Sequence, residues 1–231
     1  MRTISIITPY FENPKMFELQ CRMWGQLPKE LLAKTEFIVI DDCSTEFPAS
    51  NYAMIFPGMQ FRLYRVTEKA KWNWIACRNI GAHEAHGDWL MMTDMDHVVD
   101  AELLAHLHSM KVEPDCFYVP SRVDGPARVP NPKPHPNSYF MSRDFFWKVG
   151  GYDENYSGNY GTDGIWRRRC EALGKRVLLD MPLVQYLPDH GIQDCRSTLD
   201  RKSEEQRAAV LKITEQGLPV KTLSFPYERI I

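Results

Sequence analysis

Four short runs of mainly apolar residues, with helix-forming segments after the first and the third, constrain the fold of this chain most strongly. Runs of this length that end in polar residues are typical of buried strands. The runs are Ile4–Thr8, Phe37–Ile40, Phe61–Val66 and Trp89–Thr93. Helices are predicted over Met16–Leu27, which Pro14 can open, and over Trp74–His86. This alternation predicts an α/β fold with a mainly parallel central sheet flanked by helices.

Polar side chains follow three of these predicted strands at the point where each strand ends. Ligands of open α/β sheets bind beyond the carboxyl ends of the strands, so these side chains predict a binding site at one sheet edge. The residues are Thr8 with Glu12, Asp41 with Asp42, and Asp94 with Asp96.

The second half of the chain is less regular. Strands are predicted at Cys116–Pro120, Ser138–Ser142 and Val177–Leu179, and helices at Arg143–Val149, Thr162–Leu173 and Asp200–Gln216. The stretch from Ser121 to Asn137 holds five prolines and is predicted to be a loop throughout. Loops of this length usually serve a function, and a lid or a part of an acceptor site is the expected role here.

Composition excludes several classes of protein. The chain has 231 residues, a formal net charge of −2 and a hydrophobic fraction of 44%. This near-neutral charge disfavours a nucleic-acid partner, because such partners are bound by cationic surfaces. No run of residues is long and apolar enough for a membrane helix or a signal peptide. The six cysteines are scattered without a C-x-x-C pair, which favours free thiols and a cytoplasmic location.

The Asp94-Met95-Asp96 tripeptide is the clearest candidate for a metal site. Two carboxylates spaced i, i+2 at a strand end can face one hard cation, which prefers oxygen ligands. A metal at that position would neutralise a diphosphate and support its departure. The tripeptide is also compatible with a solvated turn in which Asp94 caps the next helix.

The order of four sequence blocks resembles family 2 glycosyltransferases of the GT-A fold. The central block, KWNWIACRNIGAHEAHGDWLMMTDMDHVVD, resembles the family's A-R-N-x-G helix, G-[DE] turn, strand and D-x-D. The opening ISIITPYFEN and the second-strand segment FIVIDDCST resemble its first two strands, and YFMSRDFFWKVGGYDENYSGNYGTDGIWRRRCEALG its acceptor-side block. The resemblance implies a single GT-A (Rossmann-like) domain over residues 1–195, with a nucleotide-sugar half (1–100) and an acceptor half (101–195). A C-terminal helical tail would occupy 196–231.

The resemblance also implies roles for individual donor-side residues. Thr8, Pro9 and Glu12 would line the nucleotide pocket, and Asp41 or Asp42 would hydrogen-bond the base, uracil being the usual partner of an Asp there. Arg78 would lie near the base or the diphosphate. Asp94 would touch the ribose or the sugar.

On the same resemblance, Asp96 would hold manganese or magnesium that bridges the diphosphate, and His190 would be a further metal ligand. Asp163 would be the general base in a single displacement that inverts the anomeric carbon. The family usually has two acids at this motif, whereas this chain has Thr162-Asp163. Asp163 could also be an acid that stabilises a helix N-terminus, and His190 could be an ordinary loop residue.

The implied function is therefore metal-dependent transfer of a sugar from a nucleotide-diphosphate sugar, with UDP expected, to an acceptor hydroxyl, most simply that of a glycan. Two alternatives remain open at this stage. One is a nucleotidyltransferase that makes a sugar nucleotide, although TPYFENPK lacks the glycines that usually grip a triphosphate. The other is a non-catalytic nucleotide- or carbohydrate-binding module.

Overall fold

A computed structural model describes residues 2–192 and 204–231, and within these ranges it contains one continuous ten-stranded sheet. The strands are β1 (Ile4–Tyr10), β2 (Thr35–Asp41), β3 (Gln60–Val66), β4 (Trp89–Met92), β5 (His97–Val98), β6 (Cys116–Asp124), β7 (Val129–Asn131), β8 (Tyr139–Ser142), β9 (Lys175–Gln185) and β10 (Tyr227–Arg229). The helices are α1 (Pro14–Gly25), α2 (Lys29–Leu32), α3 (Trp74–Glu84), α4 (Ala101–Ser109), α5 (Arg143–Lys148), α6 (Asp163–Leu173) and α7 (Glu204–Gln216).

The N-terminal half of the sheet is parallel, as its apolar runs predict. Strand β1 lies between β2 and β4, and β2 pairs with β3, all in parallel. Tyr10 is level with Asp41 in this register, so the polar ends of β1 and β2 lie side by side. Helix α3 packs closely on β1 because Gly81 has no Cβ: a Cβ there would lie 2.4 Å from Cγ2 of Ile7.

The second half of the sheet is mixed rather than parallel. Strand β8 runs antiparallel to both β4 and β6, and β5 runs antiparallel to β9, while β6 and β9 are parallel. The sheet order is β10-β3-β2-β1-β4-β8-β6-β9-β5, with β7 paired to β6 outside this path. Apolar clusters cover both faces of the sheet, so the α/β fold with a helix-flanked sheet is confirmed.

The prediction of a loop throughout 121–137 is wrong at its start. Strand β6 continues to Asp124, and a turn at Gly125 returns the chain as β7. Pro130 is tolerated there because β7 is a short edge strand, where a missing N–H leaves no partner unsatisfied. Strand β9 also extends well beyond the predicted Val177–Leu179, because Asp180 and Pro182 interrupt its apolar pattern without interrupting the strand.

The C-terminal segment is not helical to its end. Helix α7 occupies most of the predicted Asp200–Gln216 helix, whose first residues lie outside the described ranges, as does Cys195. The chain then returns to the sheet as β10, antiparallel to the edge strand β3. The buried carboxylate of Glu154 fixes this return by accepting hydrogen bonds from the backbone N–H groups of Leu223 and Ser224. Over the described ranges, none of the helices has the length and apolar character that crossing a membrane requires.

Candidate active site

A cavity of about 880 Å³ opens at the carboxyl edge of the parallel strands. Its walls come from the ends of β1, β2 and β4, from the segments before α3 and α6, and from the proline-rich stretch. The sequence-predicted site residues that line it are Pro9, Glu12, Asp42, Asp94, Asp96 and Asp163. The fold therefore brings together six side chains that lie as far as 154 positions apart in the sequence.

The two neighbouring aspartates at the end of β2, Asp41 and Asp42, have different environments. The Asp41 carboxylate accepts backbone N–H groups from Ser44 and Ala49, both at 2.8 Å, and is buried beneath the loop that follows it. Asp42 lines the cavity; its Oδ2 accepts the backbone N–H of Asn73 at 2.8 Å, whereas its Oδ1 has no partner. Burial and the neighbouring Asp41 raise the pKa of Asp42 to about 7, against the N–H of Asn73, which lowers it. Asp42 is thus the aspartate that is available to a ligand.

Glu12 and Thr8, two residues predicted to line the nucleotide pocket, are part of the protein framework: Glu12 through its hydrogen bonds and Thr8 through its burial. The Glu12 carboxylate, on a residue with φ of 44°, accepts the backbone N–H groups of Thr45, Glu46 and Phe47 at 2.6, 3.1 and 2.6 Å. Burial opposes its ionisation, but these N–H groups hold the pKa of Glu12 below its usual range. Thr8 is fully buried, its hydroxyl has no partner, and it does not line the cavity. Glu12 therefore shapes the wall through the loop it holds.

Arg78 lies behind the cavity and contacts Asp94. Its guanidinium is fully buried and donates to Oδ1 of Asp94 at 2.5 Å, to the carbonyl of Asn137 and to the hydroxyl of Tyr152 at 3.0 Å. It also lies over the rings of Trp74 and Tyr152, at 5.1 and 5.6 Å from their centroids. Arg78 is absent from the cavity wall, so it acts on the cavity through the Asp94 carboxylate that it binds.

The Asp96 carboxylate is held by two polar neighbours, His97 and Gln185. Its Oδ1 is 2.7 Å from Nδ1 of His97, and its Oδ2 accepts the amide of Gln185 at 3.0 Å. The ring of His135 stacks on that of His97, with centroids 3.9 Å apart, and its Nε2 is 3.5 Å from Oδ2 of Asp94. Burial alone would raise the pKa of Asp96, but the two imidazoles and Gln185 outweigh it and keep the pKa well below its usual range. Asp96 therefore stays ionised.

Asp163 is the first residue of α6 and lines the cavity together with the strand-end acids. The hydroxyl of Thr162, at the N-cap position, makes no capping hydrogen bond. Burial and the charge of Asp94 raise the pKa of Asp163, while a hydrogen bond from the Asn137 side chain and the nearby Arg78 and Arg167 lower it, leaving it above its usual value. A carboxylate with a raised pKa is a stronger base.

His190 does not line the cavity. Its Nδ1 accepts the backbone N–H of Leu187 at 2.9 Å, and its Nε2 lies against Gly125, where a Cβ would come within 2.7 Å. Its role as a metal ligand stays a prediction.

The acids of the cavity fit a divalent cation that is bound together with a phosphate-bearing ligand. Within the described ranges, no three His, Cys, Asp or Glu side chains converge as a complete metal-binding group. Magnesium-type sites often use one or two carboxylates and complete their coordination with substrate phosphates and water. Asp94 and Asp96 both line the cavity, and each carboxylate keeps acceptor capacity beyond the contacts described above.

Several residues that line the cavity could not be predicted from the sequence. His135 and Asn137 lie in the proline-rich stretch, Gln185 lies at the end of β9, and Arg122 lies on the extension of β6. The length of the proline-rich stretch signals function, but nothing in its sequence singles out these side chains.

Trp72 and Tyr160 also line the wall, with ring centroids 5.6 Å apart, and Trp72 has a φ of 50°, which is strained for a bulky residue.

The family profile described as "Glycosyl transferase family 2" matches residues 24–173, which is more than half of the chain. The chain belongs to glycosyl transferase family 2. The matched range contains α3, the Asp94-Met95-Asp96 tripeptide and Asp163. No curated protein sequence matches the chain.

Solved structures of low sequence identity share the GT-A fold of this family 2 chain. Mannosyltransferase PcManGT from Pyrobaculum calidifontis, in complex with GDP-Man and Mn²⁺, is 16% identical with a TM-score of 0.63, over 83% of this chain and 59% of that one. S. aureus TarS 1-349 in complex with UDP-GlcNAc is 14% identical with a TM-score of 0.65, over 95% of this chain and 67% of that one. GalNAc-T7 with UDP, GalNAc and Mn²⁺ is 16% identical with a TM-score of 0.65, over 93% and 48%. The chain thus spans about half to two thirds of the length of the chains in these structures.

Proposed function

We propose that the protein is an inverting, divalent-metal-dependent glycosyltransferase that transfers a sugar from a nucleotide-diphosphate sugar to an acceptor hydroxyl. The observation that carries the proposal is the convergence of Asp42, Asp94, Asp96 and Asp163 on one cavity at the carboxyl edge of the sheet. Family membership and neighbours solved with UDP or GDP sugars support the same class of donor. The proposed acceptor is the hydroxyl group of a glycan, and the proposed location is the cytoplasm.

Asp42 would recognise the nucleobase. Its Oδ1 is buried at the cavity and lacks a partner, so a ring N–H of a base would satisfy it. Uracil offers one such N–H, and UDP is therefore the proposed nucleotide. Guanine offers two donors on the edge that can face a carboxylate, so a GDP sugar is the matching alternative. Pro9 and the loop held by Glu12 would form the wall beside the base.

Asp94 and Asp96 would hold manganese or magnesium together with the diphosphate. The metal would neutralise the diphosphate charge and so favour its departure. Arg78 fixes one oxygen of Asp94, and His97 and Gln185 fix both oxygens of Asp96, so these carboxylates are oriented before a ligand binds. Orientation of this kind lowers the entropic cost of assembling the site.

Asp163 would accept the proton of the acceptor hydroxyl. The acceptor oxygen forms a bond to the anomeric carbon while the bond from that carbon to the diphosphate oxygen breaks, and the diphosphate leaves with the electron pair. One displacement from the face opposite the leaving group inverts the anomeric configuration. The raised pKa of Asp163 suits a base that must take this proton at neutral pH.

Turnover of nucleotide sugars tests the proposal. UDP- and GDP-sugars are incubated with the wild-type protein, with and without Mn²⁺ or Mg²⁺, and release of the nucleotide is measured. We expect the wild-type protein to release nucleotide only with the metal, and Asp96→Ala to release none. Asp163→Asn should lose transfer to added glycans but retain nucleotide binding. Glu171→Gln, on the surface of the same helix as Asp163, is the matched control and should behave as wild type. Metal-independent turnover, or unchanged transfer by Asp163→Asn, would contradict the assignments.

A further inference from the structure

Arg122 is the one arginine on the cavity wall within the described part of the chain. It lies on the part of β6 that extends into the proline-rich stretch, where its side chain is 15% exposed. Neither the D-x-D motif nor the proposed base accounts for it. A guanidinium lining a ligand cavity carries five N–H donors, so their partners decide what the residue can do.

The donors of Arg122 have no hydrogen-bond acceptor in the described chain. Its Nε is buried without a partner, and the nearest carboxylate oxygen, Oδ1 of Asp124, is 3.9 Å away. Asp124 is itself bound by the amide of Asn131, at 3.2 and 2.9 Å. A buried donor without a partner is costly and uncommon in native proteins, which indicates that a ligand completes it.

The backbone around Arg122 is held on both sides. Arg122 pairs with Asn131 of β7 and with Leu183 of β9, so the residue lies within the sheet rather than on a free loop. A side chain on paired strands presents its charge at a fixed place, as a recognition residue requires.

The charges around Arg122 favour an oxyanion as that ligand. Arg122 is level with Leu183 on β9, two residues before Gln185, whose amide donates to Oδ2 of Asp96. Arg122 is thus at the Asp96 end of the cavity. The Asp96 carboxylate contacts His97 and Gln185, and among the described contacts none joins it to the guanidinium of Arg122. Phosphate oxygens match the planar fork of a guanidinium.

We propose that Arg122 binds the diphosphate of the donor, at the phosphate that is bonded to the sugar. The proposal rests on the proposed function. When the bond from the anomeric carbon to the diphosphate oxygen breaks, that oxygen gains negative charge, and the Arg122 N–H groups would stabilise it. The residue would therefore contribute to donor binding and to the departure of the nucleotide diphosphate.

Calorimetric titrations with Mn²⁺ test the proposal on wild type, Arg122→Met, Arg122→Lys and the control Arg128→Met. Arg128 is in the turn of the same hairpin and pairs with Asp100 outside the cavity, so its loss removes the same charge. The probes are UDP, GDP, uridine and inorganic pyrophosphate. For Arg122→Met we expect binding of the diphosphates to weaken about 10- to 100-fold, the range of a charge-assisted hydrogen bond. Uridine binding should not change, Arg122→Lys should recover part of the loss, and Arg128→Met should match wild type.

The probes separate this proposal from the proposed function. Wild-type binding of UDP or GDP that Arg122→Met leaves unchanged would overturn the role of Arg122 and leave the function intact. Arg122-dependent binding of pyrophosphate by a protein that binds neither nucleotide would refute the function and retain the anion site. Equal loss of uridine and UDP binding in Arg122→Met would also overturn the proposal, because it would mean general damage to the cavity.

Discussion

Replacing Asp41 and Asp42, the two neighbouring aspartates at the end of β2, by asparagine should change stability in opposite directions. Asp41 uses both oxygens to hold backbone N–H groups of Ser44 and Ala49. In Asp41→Asn the amide keeps one acceptor but turns an NH₂ group towards the second N–H. Hydrogen bonds to charged acceptors contribute about 1.5–3 kcal/mol each, so we expect Asp41→Asn to lose about 2–4 kcal/mol of unfolding free energy.

Asp42→Asn should stabilise the protein at pH 8. The pKa of Asp42 is raised from 3.8 to about 7, so its ionised form is disfavoured in the folded state. The folded protein therefore loses stability as the pH rises from 3.8 to 7, and a shift of this size corresponds to about 4 kcal/mol above pH 7. Asparagine removes that penalty and keeps an oxygen for the N–H of Asn73. Between pH 8 and pH 5 the advantage of Asp42→Asn should fall from about 4 to about 2 kcal/mol, because at pH 5 the folded carboxyl is mostly protonated.

Urea unfolding at pH 8 and pH 5 measures both changes in stability, and titration of UDP with Mn²⁺ measures nucleotide affinity. Asp42→Asn should gain stability and lose nucleotide affinity, whereas Asp41→Asn should lose stability and keep its affinity in the fraction that is folded. The reasoning is refuted if Asp42→Asn destabilises the protein at pH 8, or if Asp41→Asn is the variant that selectively loses the nucleotide.

Three further predictions concern residues that do not line the cavity. Glu154→Ala removes a buried carboxylate that accepts hydrogen bonds from Asn79, Leu223 and Ser224, so urea unfolding should show a loss of about 3–5 kcal/mol, with faster amide exchange at Leu223 and Ser224. Arg78→Lys removes hydrogen bonds to Asp94 and Tyr152, so calorimetry should show that metal-dependent binding of UDP weakens about 10-fold while uridine binding is unchanged. Weaker uridine binding would mean that Arg78 contacts the base instead. Gly125→Ala should destabilise the β6–β7 hairpin by about 1–3 kcal/mol in thermal unfolding, because φ is 65° and the new Cβ would meet the His190 ring.

The parallel half of the fold follows from the sequence because most residues of its strands are buried, so the strands are mainly apolar. The mixed half does not, because β9 contains Asp180 and Pro182 and because β7 and β10 are three-residue edge strands whose pairing is decided by distant partners. Edge strands need no apolar pattern, since one of their sides is exposed.

The acids of the site could be predicted because each directly follows a strand or begins a helix. The choice between Asp41 and Asp42 could not, since it depends on which carboxylate the loop at 44–49 covers. His135 and Arg122 could not be assigned either, because their positions follow from the β6–β7 hairpin and from stacking on His97, and not from any local pattern.

The most direct test of the metal-dependent nucleotide site is a calorimetric titration of UDP and GDP into the wild-type protein, with Mn²⁺ and with a chelator. The convergence of Asp42, Asp94 and Asp96 predicts saturable one-site binding of at least one nucleotide with Mn²⁺, and binding weakened at least about 10-fold by the chelator, by Asp96→Ala or by Asp42→Asn. Binding that is equal with and without the metal, or no binding of either nucleotide, would contradict it.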